Sequence, residues 1–178
     1  VQLAALGYAV PGTVIAISVM IPLAWFDRNV DLLAEQWFGV RTGLLLSGTL
    51  LALLLAYSVR FLAVSLHGIE AGLERIKPNM DNAARSMGLS PLQVLRRVHV
   101  PLLSGSVLTA LLLVFVDVLK ELPATLILRP FNFNTLAVRA HELASDERLA
   151  DAALPALAIV LVGLLPVILL ARSTERRM

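Results

Sequence analysis

Four long apolar runs dominate this sequence, and each is close to the length that a helix needs to cross a bilayer. They cover about residues 3–26, 42–66, 102–119 and 152–171. A hydrocarbon core about 30 Å thick requires roughly 20 apolar residues in helical conformation. The pattern predicts an all-α, polytopic bundle with four membrane spans in a single transmembrane domain over residues 1–178.

Composition supports this class and removes several others. The chain is 58% hydrophobic and 16% charged, whereas soluble domains are about 45–50% apolar and about 25% charged. A net charge of +2 gives no case for nucleic-acid binding. The lack of cysteine excludes disulfides, thiolate metal sites and a cysteine nucleophile within these residues. Because the first residues are already apolar, we expect the start to be a cut end and not a signal peptide.

The first two runs carry internal signals of their own. Pro11-Gly12 and Pro22 predict a kinked or broken first helix packed inside a bundle, followed by a polar loop at 27–41. The second run contains the small residues Gly43, Ser47 and Gly48, which predict close approach between helices. Arg60, near the end of that run, is expected to extend to the lipid headgroups.

The polar stretch at 67–101, here called the central segment, has sharp helix punctuation. A helix should begin at Pro78 and end at Gly88, which can take the left-handed conformation that closes a helix. A second helix should restart at once, with an N-cap, a proline at its first position and a capping-box glutamine, which are Ser90, Pro91 and Gln93. Pro101 marks the expected next boundary.

Basic residues are biased toward one side of the predicted membrane. The central segment and the C-terminal tail hold eight Lys and Arg residues, against five in the loops on the other side. By the positive-inside rule, the central segment and the C-terminus are expected in the cytoplasm.

The central segment resembles the EAA loop of ABC importer permeases with the type I fold. That motif runs roughly E-A-A, three residues, G, nine residues, I-x-L-P, and this chain keeps the spacing from Ala83-Ala84 to Gly88 and on to Pro101. Asn82 replaces the usual glutamate, which removes a charge, and Val98 and Val100 replace the isoleucine and leucine.

The resemblance implies a role in coupling to a separate ATPase. The chain has no phosphate-binding P-loop, so energy would come from an ATP-binding cassette dimer that holds ATP and magnesium. An extracytoplasmic substrate-binding protein and a second permease half, upstream in the same full-length chain, are the other implied partners, and no cofactor is expected on this chain. The residues implied in coupling are Ala83, Ala84, Arg85, Gly88, Leu89, Ser90, Pro91 and Pro101. The alternative is an amphipathic hairpin lying on lipid.

Further similarity points to the ferric-iron branch of these permeases, with this chain as a C-terminal fragment. It lies at residues 120–125, 129–134 and 142–146. The same permease class for thiamine, polyamine, sulfate or phosphonate stays open. A secondary transporter or channel is the rival from another class, and an intramembrane enzyme lacks a convincing catalytic set.

Asp117, Lys120 and Glu121 form a second charged group at the end of the third run. Asp117 and Glu121 are spaced to share a helix face, and Lys120 can pair with Asp117. The functional interpretation is a polar lining or gate of the translocation path, and the alternative is an interhelical clamp with an interfacial anchor. No metal site is predicted, because two carboxylates lack further ligands.

Three other features of the sequence give weaker functional signals. The three histidines, His67, His99 and His141, are isolated in the sequence. We interpret them as loop or interface residues. Ser104-Gly105-Ser106 favours small-residue helix packing over a nucleophile. Residues 131–152 are a candidate docking surface for a substrate-binding protein, or a short connecting helix.

Overall fold

A computed structural model describes residues 9–175, with side chains described up to Ile168 and at Ala171. The described part is helical and contains no strand, as the sequence predicts. Its elements are α1 (Gly12–Phe38), α2 (Leu50–Leu73), α3 (Pro78–Ser86), α4 (Pro91–Val94), a π-helical turn (Leu95–His99), α5 (Val100–Leu119), α6 (Pro123–Leu128), α7 (Leu136–Ser145) and α8 (Leu149–Glu175).

Four segments of the described chain are long and apolar enough to cross a membrane. They are Gly12–Phe38, Leu50–Leu73, Pro91–Leu119 and Leu149–Ile168. A small core joins three elements near one end of α1, since α6 packs against both α1 and α2. Its buried members are Ile15, Ala16, Val19, Ala52, Leu53, Ala56, Ala124 and Leu128.

Helix α1 begins after a non-helical Pro11 (φ −54°, ψ 140°) and passes through Pro22. It continues to Phe38, so the predicted polar loop at 27–41 is wrong over most of its length. The helix continues because two acidic residues one turn apart hydrogen-bond to the segment at 42–47, which folds back along α1. Asp27 accepts hydrogen bonds from the backbone N–H groups of Leu46 and Ser47, and Asp31 accepts them from residues 42 and 43. Residues 3–8 of the first apolar run lie outside the described residues.

Helix α2 begins later than the second apolar run suggests. Gly43 and Gly48 have φ of +66° and +71° and belong to the loop before Leu50, so they do not mediate helix packing as predicted. Close approach occurs instead near the other end of α2. A Cβ placed on Gly68 would lie 2.7 Å from Ala110 Cβ, and one on Gly72 would lie 2.6 Å from Ser106 Cβ. These contacts bring the backbones of α2 and α5 together.

This contact predicts a reciprocal rescue. Gly68→Ala should lower the free energy of unfolding by about 1–3 kcal/mol, because the new methyl group overlaps that of Ala110. Adding Ala110→Gly should restore most of the loss by exchanging the methyl groups across the interface. Chemical unfolding in detergent, followed by circular dichroism, measures both effects.

Gly163→Ala is the matched control, since a Cβ there meets only Leu119 at 4.0 Å. It should be neutral or stabilising by up to about 1 kcal/mol, the usual helix preference for alanine. Equal losses at positions 68 and 163 would contradict the proposed packing.

Helix α5 is continuous with α4 through the π-helical turn, so Pro101 is not the boundary that the sequence predicts. The N–H of Val100 bonds to the C=O of Leu95, one residue farther back than in an α-helix. A proline inside a helix lacks a donor and clashes with the carbonyl four residues earlier. The widened turn just before Pro101 lets the helix continue past it.

The sequence also predicts that Ser145, followed by Asp146 and Glu147, is an N-cap whose helix runs on into the fourth span. This prediction is wrong, because Ser145 ends α7. Glu147 then takes a left-handed conformation, with φ +60°, before α8 starts at Leu149. At its start, α7 is capped by Thr135, whose hydroxyl accepts a hydrogen bond from the N–H of Val138.

Candidate functional site

The turn after α3 has the geometry that the sequence predicts. Gly88 has φ +81°. Its N–H bonds to the C=O of Arg85 at 2.9 Å, and the N–H of Leu89 bonds to the C=O of Ala84 at 3.2 Å. This pair of bonds is a Schellman motif, which satisfies the last carbonyls of the helix. The chain therefore reverses within two residues and can start α4 immediately.

Helix α4 begins with the predicted capping box. The Ser90 hydroxyl accepts from the N–H of Gln93 at 3.4 Å, and the Gln93 side chain accepts from the N–H of Ser90 at 2.8 Å. Pro91 occupies the first helical position. Because both helix ends at the turn are satisfied internally, the turn needs no partner to hold its shape.

The outer surface of the turn combines two large apolar side chains with small residues and one arginine. Met87 and Leu92 are 74% and 57% exposed. Among the predicted coupling residues, Leu89 is half-buried. The exposed ones are Ala83, Arg85, Gly88, Ser90, Pro91 and Pro101. Ala84 differs, since it is only 2% exposed and faces the interior together with Val94. Its side chain anchors α3 and is not available for direct contact with a partner.

His99 has a close partner in the same segment. Its Nε2 lies 2.6 Å from Asp81 Oδ1, and the two side chains are 23% and 31% exposed. Asp81 sits in the first turn of α3, and His99 ends the π-helical turn. The prediction that His99 is isolated is therefore wrong, and a hydrogen bond ties the small surface helix to the base of α5.

Glu121 lies inside the bundle and contacts α2. It is 6% exposed, and its Oε2 lies 3.0 Å from Arg60 Nε. Arg60 also donates a hydrogen bond from Nη1 to the C=O of Val10 at 3.1 Å. Arg60 therefore points inward and does not extend to headgroups as predicted, because a buried carboxylate offers it a better partner than lipid.

Helix α1 contacts this ion pair at a glycine. A Cβ on Gly12 would lie 2.6 Å from Glu121 Oε1 and 3.0 Å from Arg60 Nη1. Beside it, the hydroxyls of Tyr57 and Thr125 are 2.5 Å apart, and Thr125 also donates to the C=O of Glu121. The cluster of Arg60, Glu121, Gly12 and their neighbours thus joins α1, α2 and the start of α6.

Asp117 and Lys120 form the pair that the sequence predicts, with Nζ 3.0 Å from Oδ1. Lys120 is 63% exposed and Asp117 is 17% exposed. Glu121 does not share their helix face, because α5 ends at Leu119 and the chain turns before Glu121. The predicted group therefore separates: Glu121 pairs with Arg60 on α2, and Asp117 pairs with Lys120.

A second polar cluster lies between α6 and α7. Arg129 Nη2 is 2.8 Å from Glu142 Oε1, and Arg129 also donates to the side chain of Asn134. This network supports a loop in which Phe131 is 93% exposed and Asn132 is left-handed, with φ +60°. A shallow pocket opens beside it. Among the residues described, no group of three or more metal-ligating side chains comes together.

Comparisons with known proteins place the chain among transport components. A family described as the inner-membrane component of binding-protein-dependent transport systems matches residues 3–178. The chain is 30% identical, over 93% of its length, to the Fe(3+)-transport system permease protein FbpB 2 of Haemophilus influenzae. It is 34% identical, over 74% of its length, to PhnV of Salmonella typhimurium, named as a candidate 2-aminoethylphosphonate transport system permease protein. The chain spans 29% of FbpB 2 and 49% of PhnV.

Proposed function

Because the chain belongs to the family of inner-membrane components of binding-protein-dependent transport systems, we propose that it forms part of the permease of an ATP-driven importer. The observation that carries this proposal is the self-capped turn at Gly88, with its small, exposed outer surface. A rigid knob of this kind suits a groove on a partner, with Met87 and Leu92 as apolar anchors.

In this proposal the energy for transport comes from a separate ATP-binding cassette dimer, which holds ATP and magnesium. The basic bias supports a cytoplasmic position for the turn at Gly88, where the ATPase would be within reach. A substrate-binding protein would dock on the opposite side, where residues 131–152 include the exposed Phe131. A second permease half, upstream in the full-length chain, would complete the translocation path.

The helix contacts suggest how motion at the turn reaches the path. Helix α2 leads into α3, α5 follows α4, and α2 and α5 pack closely at Gly68 and Gly72. A displacement of α3 and α4 would therefore move α2 and α5 together. The other end of this unit carries Arg60 and Glu121, which contact α1 at Gly12. We assign Glu121 to a gate at this contact, with Asp117 and Lys120 as further polar residues that line the translocation path.

Site-specific cross-linking tests the docking role directly. The 178 residues contain no cysteine, so cysteine introduced at position 89 or 90 provides a unique reactive site within them. In the assembled full-length transporter, Leu89→Cys or Ser90→Cys should cross-link to the ATPase subunit. Ser58→Cys, at an exposed position of α2, is the control and should not. Cross-linking of positions 89 and 90 to lipid alone would refute the proposal.

For the cargo, we propose ferric iron. The support is the similarity to FbpB 2 over 93% of this chain, together with the resemblance at residues 120–146. A phosphonate is the second candidate, because PhnV is named for 2-aminoethylphosphonate. Stimulation of ATP hydrolysis by an iron-loaded binding protein, and not by a phosphonate-loaded one, would support iron. The reverse result would support the phosphonate.

A further inference from the structure

The contact between Asp81 and His99 lies where a rigid link would matter most. Helix α3 joins its neighbours through two short turns, at residues 74–77 and 87–90. Two turns alone leave a short helix free to rock about them. The 2.6 Å hydrogen bond between His99 Nε2 and Asp81 Oδ1 adds a third point of attachment.

The two ends of this hydrogen bond are well placed to carry force. Asp81 sits one helical turn before Arg85, on the helix that leads to the exposed turn at Gly88. His99 ends the π-helical turn, directly before the first residue of α5. The link therefore bypasses α4 and joins the surface helix to the base of a long span.

Apolar contacts around the link are modest. Ala84 and Val94 are buried between α3 and the following helix, but a methyl group and a valine side chain supply little area to resist sliding. A short, partly buried hydrogen bond between an acid and an imidazole is directional and stronger than a neutral one. The pair thus adds a directional constraint on the orientation of α3 that apolar packing, which is non-directional, does not supply.

We propose that Asp81 and His99 are positioning residues that transmit the displacement of α3 to α5. This inference rests on the coupling role proposed above and adds a specific mechanical link to it. Asn82 leaves the motif's usual acidic position uncharged, and the neighbouring Asp81 takes a partner within the chain. The pair does not contact the ATPase in this scheme; it keeps the docked helix at a fixed angle to the span.

A double-mutant cycle in the reconstituted full-length transporter tests the inference. The measured quantity is cargo transported per ATP hydrolysed. Asp81→Ala and His99→Ala should each lower this ratio about tenfold, corresponding to about 1.4 kcal/mol. The double variant should lose no more than either single variant, because both remove the same link. Asp81→Asn keeps a hydrogen-bonding group of the same shape and should retain at least half of the ratio.

His67→Ala is the matched control. His67 also lies near an acid, with Nδ1 3.6 Å from Glu70 Oε2, but both residues belong to α2. Breaking a contact within one helix should leave the ratio unchanged. An unchanged ratio in Asp81→Ala, or losses that multiply in the double variant, would overturn the inference.

Cross-linking separates this inference from the proposed function. Each variant is combined with Leu89→Cys, and the cross-link to the ATPase should persist, because docking is retained while transmission is lost. Loss of the cross-link together with transport would mean that the pair only supports docking, and this outcome would overturn the positioning role. Failure of the Leu89→Cys cross-link in the otherwise unaltered protein would instead refute the docking proposal itself.

Discussion

Replacing Glu121 with leucine should lower the free energy of unfolding by about 3–5 kcal/mol, the usual cost of leaving one partner of a buried ion pair uncompensated. The side chains of Glu121 and Arg60 are 7% and 18% exposed. Removing the carboxylate leaves the Arg60 guanidinium facing Gly12 and the C=O of Val10 with no negative charge beside it. Chemical unfolding of the purified protein in detergent measures the change.

The double variant Arg60→Met/Glu121→Leu should be far less costly than the single variant. Apolar side chains of similar volume remove both charges, and such replacements are often neutral or stabilising. If the double variant is as unstable as Glu121→Leu, the cost comes from packing around position 121 and not from the unpaired arginine.

Lys120→Met provides the comparison at the next residue. It breaks the contact with Asp117, in which the lysine is 63% exposed. Asp117 is only 17% exposed, but the lysine stays largely exposed. Ion pairs with an exposed partner contribute little, so the effect should be clearly smaller than that of Glu121→Leu. Similar losses for Lys120→Met and Glu121→Leu would contradict the difference in burial that distinguishes the two pairs.

Local features of this chain could be predicted from the sequence because their partners are close along it. The Schellman motif at Gly88, the capping box at Ser90 and the pair of Asp117 with Lys120 each involve residues within five positions of one another. Such contacts follow from helix geometry and residue type alone. The four apolar segments are equally local, since length and hydropathy define them.

An interhelical clamp near Glu121 and small-residue packing at Ser104-Gly105-Ser106 were predicted, and Glu121 and Ser106 do contact α2. The specific partners across helices were not predicted, and the reason is physical. The inward direction of Arg60 depends on where α5 ends and places Glu121, which no local pattern specifies. The partner of His99 depends on how α3 folds back over the π-helical turn. The charges of Asp27 and Asp31 suggested loop residues, but their carboxylates accept hydrogen bonds from backbone N–H groups of the segment at 42–47. One signal was available for α2 and α5: Gly68 and Gly72 are four residues apart, the spacing of close-packed helices.

Gly88→Asp should insert and fold normally yet abolish the stimulation of ATP hydrolysis by the loaded binding protein. A Cβ at position 88 meets nothing within 4 Å of this chain, and aspartate tolerates the left-handed region better than most residues. The effect must then come from outside the chain, where the carboxylate would be buried unpaired against a partner surface. A cost of about 3–5 kcal/mol reduces binding more than a hundredfold.

Gly39→Asp is the control, since it introduces the same charge at a similar backbone conformation but away from the turn at Gly88. Gly39 has φ +66°, and a Cβ there also meets nothing within 4 Å, so the substitution places the same charge on the same backbone conformation. It lies in the loop after α1, on the side opposite to the central segment in the proposed topology. Stimulated hydrolysis should therefore survive in Gly39→Asp and fail in Gly88→Asp. Normal stimulation in Gly88→Asp would remove the turn from the coupling path, because a docked surface could not accept an unpaired carboxylate at its centre.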